Sequence, residues 1–222
     1  MKLHIRLSPN RTPVPFGYSY QLGGALHKWL GENNRWHGAL SLYGYSWLSG
    51  SERGEDTQAL YFPRGADWYI GFPEQEGVFN LLKGMMMDRE VLCGMKIRDV
   101  REVEPPDFGL LHRFVANSPI LLRDKREDGS HDHVLWTDSR ADTLLTARIR
   151  RKLDDAGLVD ERIHVAFDRD YAHPKQKVVH LKGQRLKCSV CPIEATGSPR
   201  ALRFLWEVGA GELTGMGFGA LR

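Results

Sequence analysis

Cysteine is scarce in this chain: Cys93, Cys188 and Cys191 are the only three among 222 residues. So few, so unevenly placed, exclude a disulfide framework and suit a reducing compartment. No apolar run approaches the roughly 20 residues that span a bilayer. The opening MKLHIRLSPN alternates polar with apolar residues and lacks the apolar core of a secretory leader. The expectation is a cytoplasmic protein with no membrane attachment. Acidic residues are missing from Tyr171 to Ile193, whereas Lys175, Lys177, Lys182, Arg185 and Lys187 all fall in that stretch. A solvated strand face normally mixes both signs, so this one-signed segment points to a polyanion such as nucleic acid. The net charge of +3 is unevenly spread. Residues 1–110 hold 12 basic and 13 acidic side chains, residues 111–222 hold 19 and 15.

Hydrophobic residues make up 41% of the chain, enough to bury a core in one large domain or two small ones. The first half reads as strand Lys2–Leu7, helix Tyr18–Leu30, strands Ala39–Trp47 and Asp67–Phe72, helix Val78–Met87 and a last strand or two within Val91–Val103. That order is the split β-α-β-β-α-β unit. Pro105–Pro106 marks a boundary. Beyond it come a strand in His112–Leu122, a helix over Ser139–Leu153, and strands at Arg162–Phe167 and Lys177–Leu181. The last of these pairs across Gly183 with Leu186–Cys191, and Leu202–Val208 is a short helix or strand-like run. On the Ser139–Leu153 helix, Leu144, Ile149 and Leu153 are expected inward and Arg148, Arg151 and Lys152 outward. The expected architecture is α+β, two tandem ferredoxin-like (RRM-like) domains at residues 1–106 and 107–222.

The C-terminus, GAGELTGMGFGALR, places Gly209, Gly211, Gly217 and Gly219 in two G-h-G triplets five residues apart. Glycines this dense permit positive φ and close backbone approach, and successive amides in such loops form anion sites. No Lys-Ser/Thr follows, which excludes a Walker loop, and no βαβ unit follows, which excludes a dinucleotide turn. The pattern resembles the terminal glycine-rich loop of CRISPR-associated RAMP proteins, particularly the repeat-RNA-processing endoribonucleases. Three further segments agree with that family in order. FVANSPILLR (Phe114–Arg123) is similar to its Ser-Pro-apolar strand. LKGQRLK (Leu181–Lys187) stands where its RNA-binding hairpin does, and HKWLGENNRWHGALSLYGYSW resembles its helix, histidine and aromatic strand.

The resemblance implies two ferredoxin-like domains and cleavage of CRISPR precursor RNA within each repeat. It also implies 2′-hydroxyl attack on the neighbouring phosphate, a cyclic phosphate product and no metal or other cofactor. The alternative is a non-catalytic RAMP subunit that binds crRNA inside an effector complex. Such attack needs a proton acceptor, a proton donor and positive charge near the phosphate. His37, in a polar loop after the first helix, matches the family's loop histidine, and His27 on that helix matches a position that pairs with it. Some relatives carry a lysine shortly after the loop histidine. Here GALSLYGYSW follows, so Tyr43, Tyr45 or Ser46 is left to supply a hydrogen bond and Arg35 or Lys28 the charge. RNA contacts are expected from Lys182, Arg185 and Lys187 on the hairpin, more weakly from Arg148, Arg151 and Lys152 on the helix, and from the four loop glycines. The expected partner is CRISPR repeat RNA, as precursor and mature crRNA. A homodimer and an effector complex remain open. Cys188-Ser-Val-Cys191 and His131-Asp132-His133 are weak metal signals, since a single CxxC lacks its second pair.

Overall fold

A computed structural model describes residues 1–53 and 59–222. In the first half the elements are β1 (Lys2–Leu7), β2 (Val14–Pro15), α1 (Ser19–Leu30), β3 (Gly44–Tyr45), β4 (Glu52–Arg53), β5 (Ala59–Tyr61), β6 (Asp67–Gly71), α2 (Gln75–Met87) and β7 (Ile97–Val103). Four of these strands form one antiparallel sheet in the order β3-β6-β1-β7, while β2, β5 and β4 form a small separate sheet. The alternation of β1 sends Leu3, Ile5 and Leu7 to one face, where they are buried with Leu22 and Leu26 of α1 and Leu81 and Met85 of α2. Each such side chain contributes roughly 1.5–3 kcal/mol by leaving water. The helices cross closely because α2 offers Gly84 at the contact: a Cβ there would lie 2.4 Å from the Trp29 backbone.

The second half continues with β8 (Leu111–Phe114), β9 (Arg123–Lys125), β10 (His131–His133), α3 (Ala141–Asp155), β11 (His164–Phe167), β12 (Lys175–Leu181), β13 (Gln184–Val190), β14 (Ile193–Thr196) and α4 (Pro199–Val208). A second sheet runs β11-β14-β8, and β9–β10 and β12–β13 are separate hairpins. Lys182 and Gly183, at φ 47° and 76°, form the two-residue turn of β12–β13, the mirror-image turn whose twist suits a tight hairpin. Ser198 caps α4 through a hydrogen bond from Ala201 N at 3.3 Å, with Pro199 at the first turn.

Three expectations are corrected. The strand foreseen over Ala39–Trp47 contracts to Gly44–Tyr45, because the preceding residues pack on the glycine-rich loop instead of pairing. The strand foreseen over His112–Leu122 stops at Phe114. Beyond it, Val115 bonds to Arg222, Asn117 to Ala220 and Ile120 to Ser189, so no single ladder forms. Lys152, foreseen outward, is buried (4% exposed) on the inner face of α3.

The halves are joined through the end of α4. The N-terminal ammonium donates to Glu207 at 2.7 Å and Lys2 Nζ to the Leu221 carbonyl at 2.6 Å. Gly71 and Gly44 are required there, since a Cβ would meet the carbonyls of Glu207 at 1.9 Å and Val208 at 2.7 Å. A third apolar cluster, with Val179, Leu181 and Leu186 of the hairpin, Phe218 of the glycine loop and Trp47 of the first half, closes the same seam. No helix is long and apolar enough to cross a membrane among the described residues.

Candidate active site

Helix α1 presents His27 on its half-buried flank. The chain then turns through Gly31 and Asn33, both at positive φ, and returns His37 to the same place. The rings stand edge to face at 85° with centroids 5.0 Å apart. Tyr43, entering β3, brings its hydroxyl to 3.1 Å from His27 Nε2. Burial pushes the Tyr43 phenol up to about 12, although Ser41 opposes this, so the hydroxyl stays protonated. Burial also lowers the His27 pKa, with the neighbouring His37 acting in the same direction and Asn34 against them. With its proton on Nε2, a neutral His27 ring donates to the Tyr43 oxygen and keeps its lone pair on Nδ1. Its buried Nδ1 has no hydrogen-bond partner, and neither does the buried Asn34 Oδ1.

The roof of this site is the glycine loop. Gly215, inside the five-residue spacer of the glycine pattern, comes so close that a Cβ would lie 2.4 Å from Ser41 Oγ and 2.9 Å from Tyr43 Oη. Thr214 holds the loop in register: its hydroxyl donates to the Tyr43 carbonyl at 2.8 Å and accepts from Lys152 Nζ at 2.9 Å. Desolvation lowers the Lys152 pKa to about 7 against the opposing pull of Glu212. Ser41, Thr214 and Gly215 were not foreseen, and Lys152, expected as an outward RNA contact, is instead buried against Thr214. A further glycine in the spacer was the one signal in the sequence; a threonine carries none.

The foreseen residues divide clearly. The structure brings together His27, His37 and Tyr43. It separates Tyr45, which is fully buried with its hydroxyl donating to the Ser19 carbonyl at 2.9 Å. Ser46 is also separate, buried between the Trp47 carbonyl and the Tyr69 amide. Lys28 pairs with Asp88 at 2.8 Å, and Arg35 with Glu74 and with Glu76, the latter at 2.8 Å. Arg148 is tied to Glu212 at 3.1 Å, as is Arg123 at 3.0 Å, whereas Arg151 is exposed. A cleft of about 430 Å³ between Ser41 and α3 gathers Lys125, His131, Arg148, Arg151 and Lys152 around that one carboxylate. On the hairpin Lys182, Arg185 and Lys187 are exposed, with Lys182 Nζ 4.6 Å from the Tyr20 ring centroid at the start of α1.

Gly209, Gly211, Gly217 and Gly219 all have positive φ and are buried. Their amides do not form the open cradle that the pattern foreshadows: those of Gly209, Gly217 and Gly219 bond to the carbonyls of Leu205, Thr214 and Pro119. Their smallness lets the loop fold onto itself, since a Cβ on Gly219 would lie 1.8 Å from the Ala210 carbonyl. Cys188 and Cys191 are buried thiols that burial raises to about 12 and about 11. No three His, Cys, Asp or Glu side chains group as a metal needs among the described residues.

A family model described as CRISPR associated protein Cas6, C-terminal, matches residues 103–222. The CRISPR-associated endoribonuclease Cas6 1 of Methanocaldococcus jannaschii is 23% identical over 236 residues, covering 99% of this chain and 91% of that one. Among solved structures, a Cas6-related protein of Pyrococcus furiosus superposes with a TM-score of 0.87 at 19% identity, over 100% of this chain and 97% of its own. A RAMP protein described as binding different RNA substrates superposes at 0.86 and 18% identity, over 100% and 98%.

Proposed function

The chain belongs to the CRISPR-associated Cas6 family, and on that premise we propose that it is an endoribonuclease that cuts CRISPR precursor RNA within the repeat, without a metal. The observation that carries the proposal is the edge-to-face pair His27–His37, with Tyr43 bonded to the half-buried His27 ring and Gly215 closing over Ser41 and Tyr43. Two imidazoles at one point suit a reaction that removes one proton and delivers another. His27, kept neutral by burial and by its neighbour, takes the proton of the 2′-hydroxyl. That oxygen forms a bond to the adjacent phosphorus, the bond to the 5′-oxygen breaks, and the exposed His37 delivers a proton to the departing oxygen. The products are a 2′,3′-cyclic phosphate and a free 5′-hydroxyl. Tyr43 fixes the His27 ring, and in-line placement of the RNA supplies much of the remaining acceleration.

In this reading both halves are ferredoxin-like. The first has the β-α-β-β-α-β order and the sheet order β3-β6-β1-β7. The second repeats it as β8, α3, β11, β14 and α4, with the β12–β13 hairpin inserted and the fourth strand reduced to the pairing of Leu221 with Ala116. The division falls near Pro105–Pro106, giving domains at 1–106 and 107–222. RNA lies across the seam, held by Lys182, Arg185 and Lys187 of the hairpin and by Arg151 beside the glycine loop.

The test is to measure repeat-RNA binding and cleavage side by side for wild type, His27→Ala and His37→Ala. Each variant is expected to bind like wild type and to cut at least 100-fold more slowly, the usual scale of acid–base catalysis. Wild type that binds the repeat and never cuts it would make the chain a crRNA-binding subunit and remove both histidines from catalysis.

A further inference from the structure

Twelve arginines of the described residues find a carboxylate partner, including Arg6, Arg113, Arg140 and Arg169. Among the basic side chains with no such partner, Arg11, Arg89, Lys96 and Arg98 gather at one place. Where β1 ends and the α2–β7 connection passes it, a concavity of about 560 Å³ is lined by Ser8, Arg11, Arg89, Gly94, Lys96 and Arg98, among others, with no carboxylate in its wall. None of its four basic side chains has an ion-pair partner among the described residues. Its volume is many times the ~30 Å³ of one water molecule.

The concavity is held by backbone bonds. Ser8 N donates to the Lys96 carbonyl at 2.8 Å and Lys96 N to Ser8 Oγ at 3.0 Å, tying the residue after β1 to the residue before β7. Arg11 N donates to the Cys93 carbonyl at 2.9 Å. Cys93 and Gly94 both take positive φ, 49° and 74°, and the turn they make lays Gly94 on the Arg11 stem. A Cβ on Gly94 would fall 2.8 Å from Arg11 Cβ and Cγ. A left-handed cysteine costs on the order of 1–3 kcal/mol, and here it places a guanidinium beside three other cations. The region also adjoins the end of α1. Lys28, next to His27, pairs with Asp88. The Asp88 carboxyl is held low first by the Lys28 hydrogen bond, and Lys96 adds to this from the other side.

We propose that this concavity is a second RNA-contact site, which takes backbone phosphates of the substrate strand outside the cut position. The inference rests on the nuclease reading above and extends it. Positive charge unpaired by protein and open to solvent suits phosphates, which release counterions when they are neutralised. The strand leaving the histidines would pass Lys28 and reach Arg89, Lys96 and Arg11.

The test is a triple variant, Arg11→Gln/Lys96→Gln/Arg98→Gln, which keeps the polar stems and removes the charge. Its binding to repeat RNA with native flanks is followed by fluorescence anisotropy from 50 to 300 mM salt, and Lys83→Gln on the exposed side of α2 is the control. For three single-strand phosphate contacts at about 0.7 each, the slope of log K against log salt should flatten by about 2, and affinity near 0.1 M salt should fall on the order of 100-fold. The cleavage rate of saturated RNA should stay at the wild-type level. Unchanged affinity and slope would overturn the site. A loss of saturated cleavage rate like that of His27→Ala would overturn it too, by making these residues part of the cleavage centre. Displacement by millimolar inorganic phosphate with RNA affinity unaltered in the variant would assign the pocket to a small anion and refute the RNA role. If wild type binds no RNA at all, the nuclease reading itself falls, which is a different failure.

Discussion

Replacing Lys152 by methionine should make the protein more stable and a poorer nuclease. The lysine is buried at 4% exposure with no carboxylate paired to it, and desolvation brings its pKa from 10.5 to about 7. Between pH 10.5 and about 7 the unfolded chain holds a proton that the folded one gives up, which at 1.36 kcal/mol per pH unit sets about 5 kcal/mol against folding at pH 7 and below. Methionine fills the same space without charge, and the lost hydrogen bond to Thr214 costs about 1.5–3 kcal/mol. The net gain at pH 7 is about 2–3 kcal/mol. The pH dependence carries a sign. The unfolded lysine holds its proton up to 10.5 and the folded one releases it near 7, so Lys152 lowers wild-type stability as pH falls from 10.5 to 7. Urea unfolding at pH 7 should give the methionine variant a midpoint higher by about 1 M, taking a slope of 2–3 kcal/mol/M. The difference should shrink by about 1.4 kcal/mol for each pH unit above 7. A variant less stable than wild type at pH 7, or a difference that does not change up to pH 9, would refute the reasoning. Cleavage should fall several-fold, because Thr214 then loses its anchor on α3.

Gly215→Ala is expected to fold and to cut about 100-fold more slowly in single turnover, since its methyl displaces Ser41 and Tyr43 by a substantial part of an ångström. Tyr43→Phe removes about 1 kcal/mol of orientation from His27, so kcat should drop about 5- to 10-fold while the RNA dissociation constant, read by filter binding, is unchanged. The rate should fall on the acid side as His27 gains its proton. Because its pKa is lowered, the acid limb of the pH–rate profile should lie below the ordinary histidine value of about 6.5, and a limb above 7 would remove His27 as proton acceptor.

The two histidines were singled out by the family resemblance, and the helix period accounts only for the flank position of His27, since His37 lies beyond the turn at Gly31 and Asn33. Leu22, Leu26 and Leu30 fix the face of α1, and what lies on its flank follows from 3.6 residues per turn. The roof of the site was not legible. Gly215 meets Ser41 across 174 residues of chain, and only the joining of the halves puts them together. Lys152 was read outward because lysines on amphipathic helices almost always are. It turns inward because the second half packs its helix against the glycine loop, leaving Thr214 as its partner. The shortened β3 has the same origin: Gly44 lies against the Val208 carbonyl, so tertiary contact replaces the strand that alternation foreshadowed. The β9–β10 hairpin went unseen because RDKREDGSHDH has no apolar alternation, and its strands pair over only three residues each.

The most direct measurement is single-turnover cleavage of an RNA carrying the host's CRISPR repeat, in excess EDTA, beside the same RNA with a 2′-deoxy residue at the cut position. One cut per repeat in the all-ribose RNA, a fragment ending in a 2′,3′-cyclic phosphate by mass spectrometry, and an intact deoxy substrate are the expected results. Cleavage of the deoxy substrate, or loss of all activity in EDTA that returns with a divalent cation, would contradict the account.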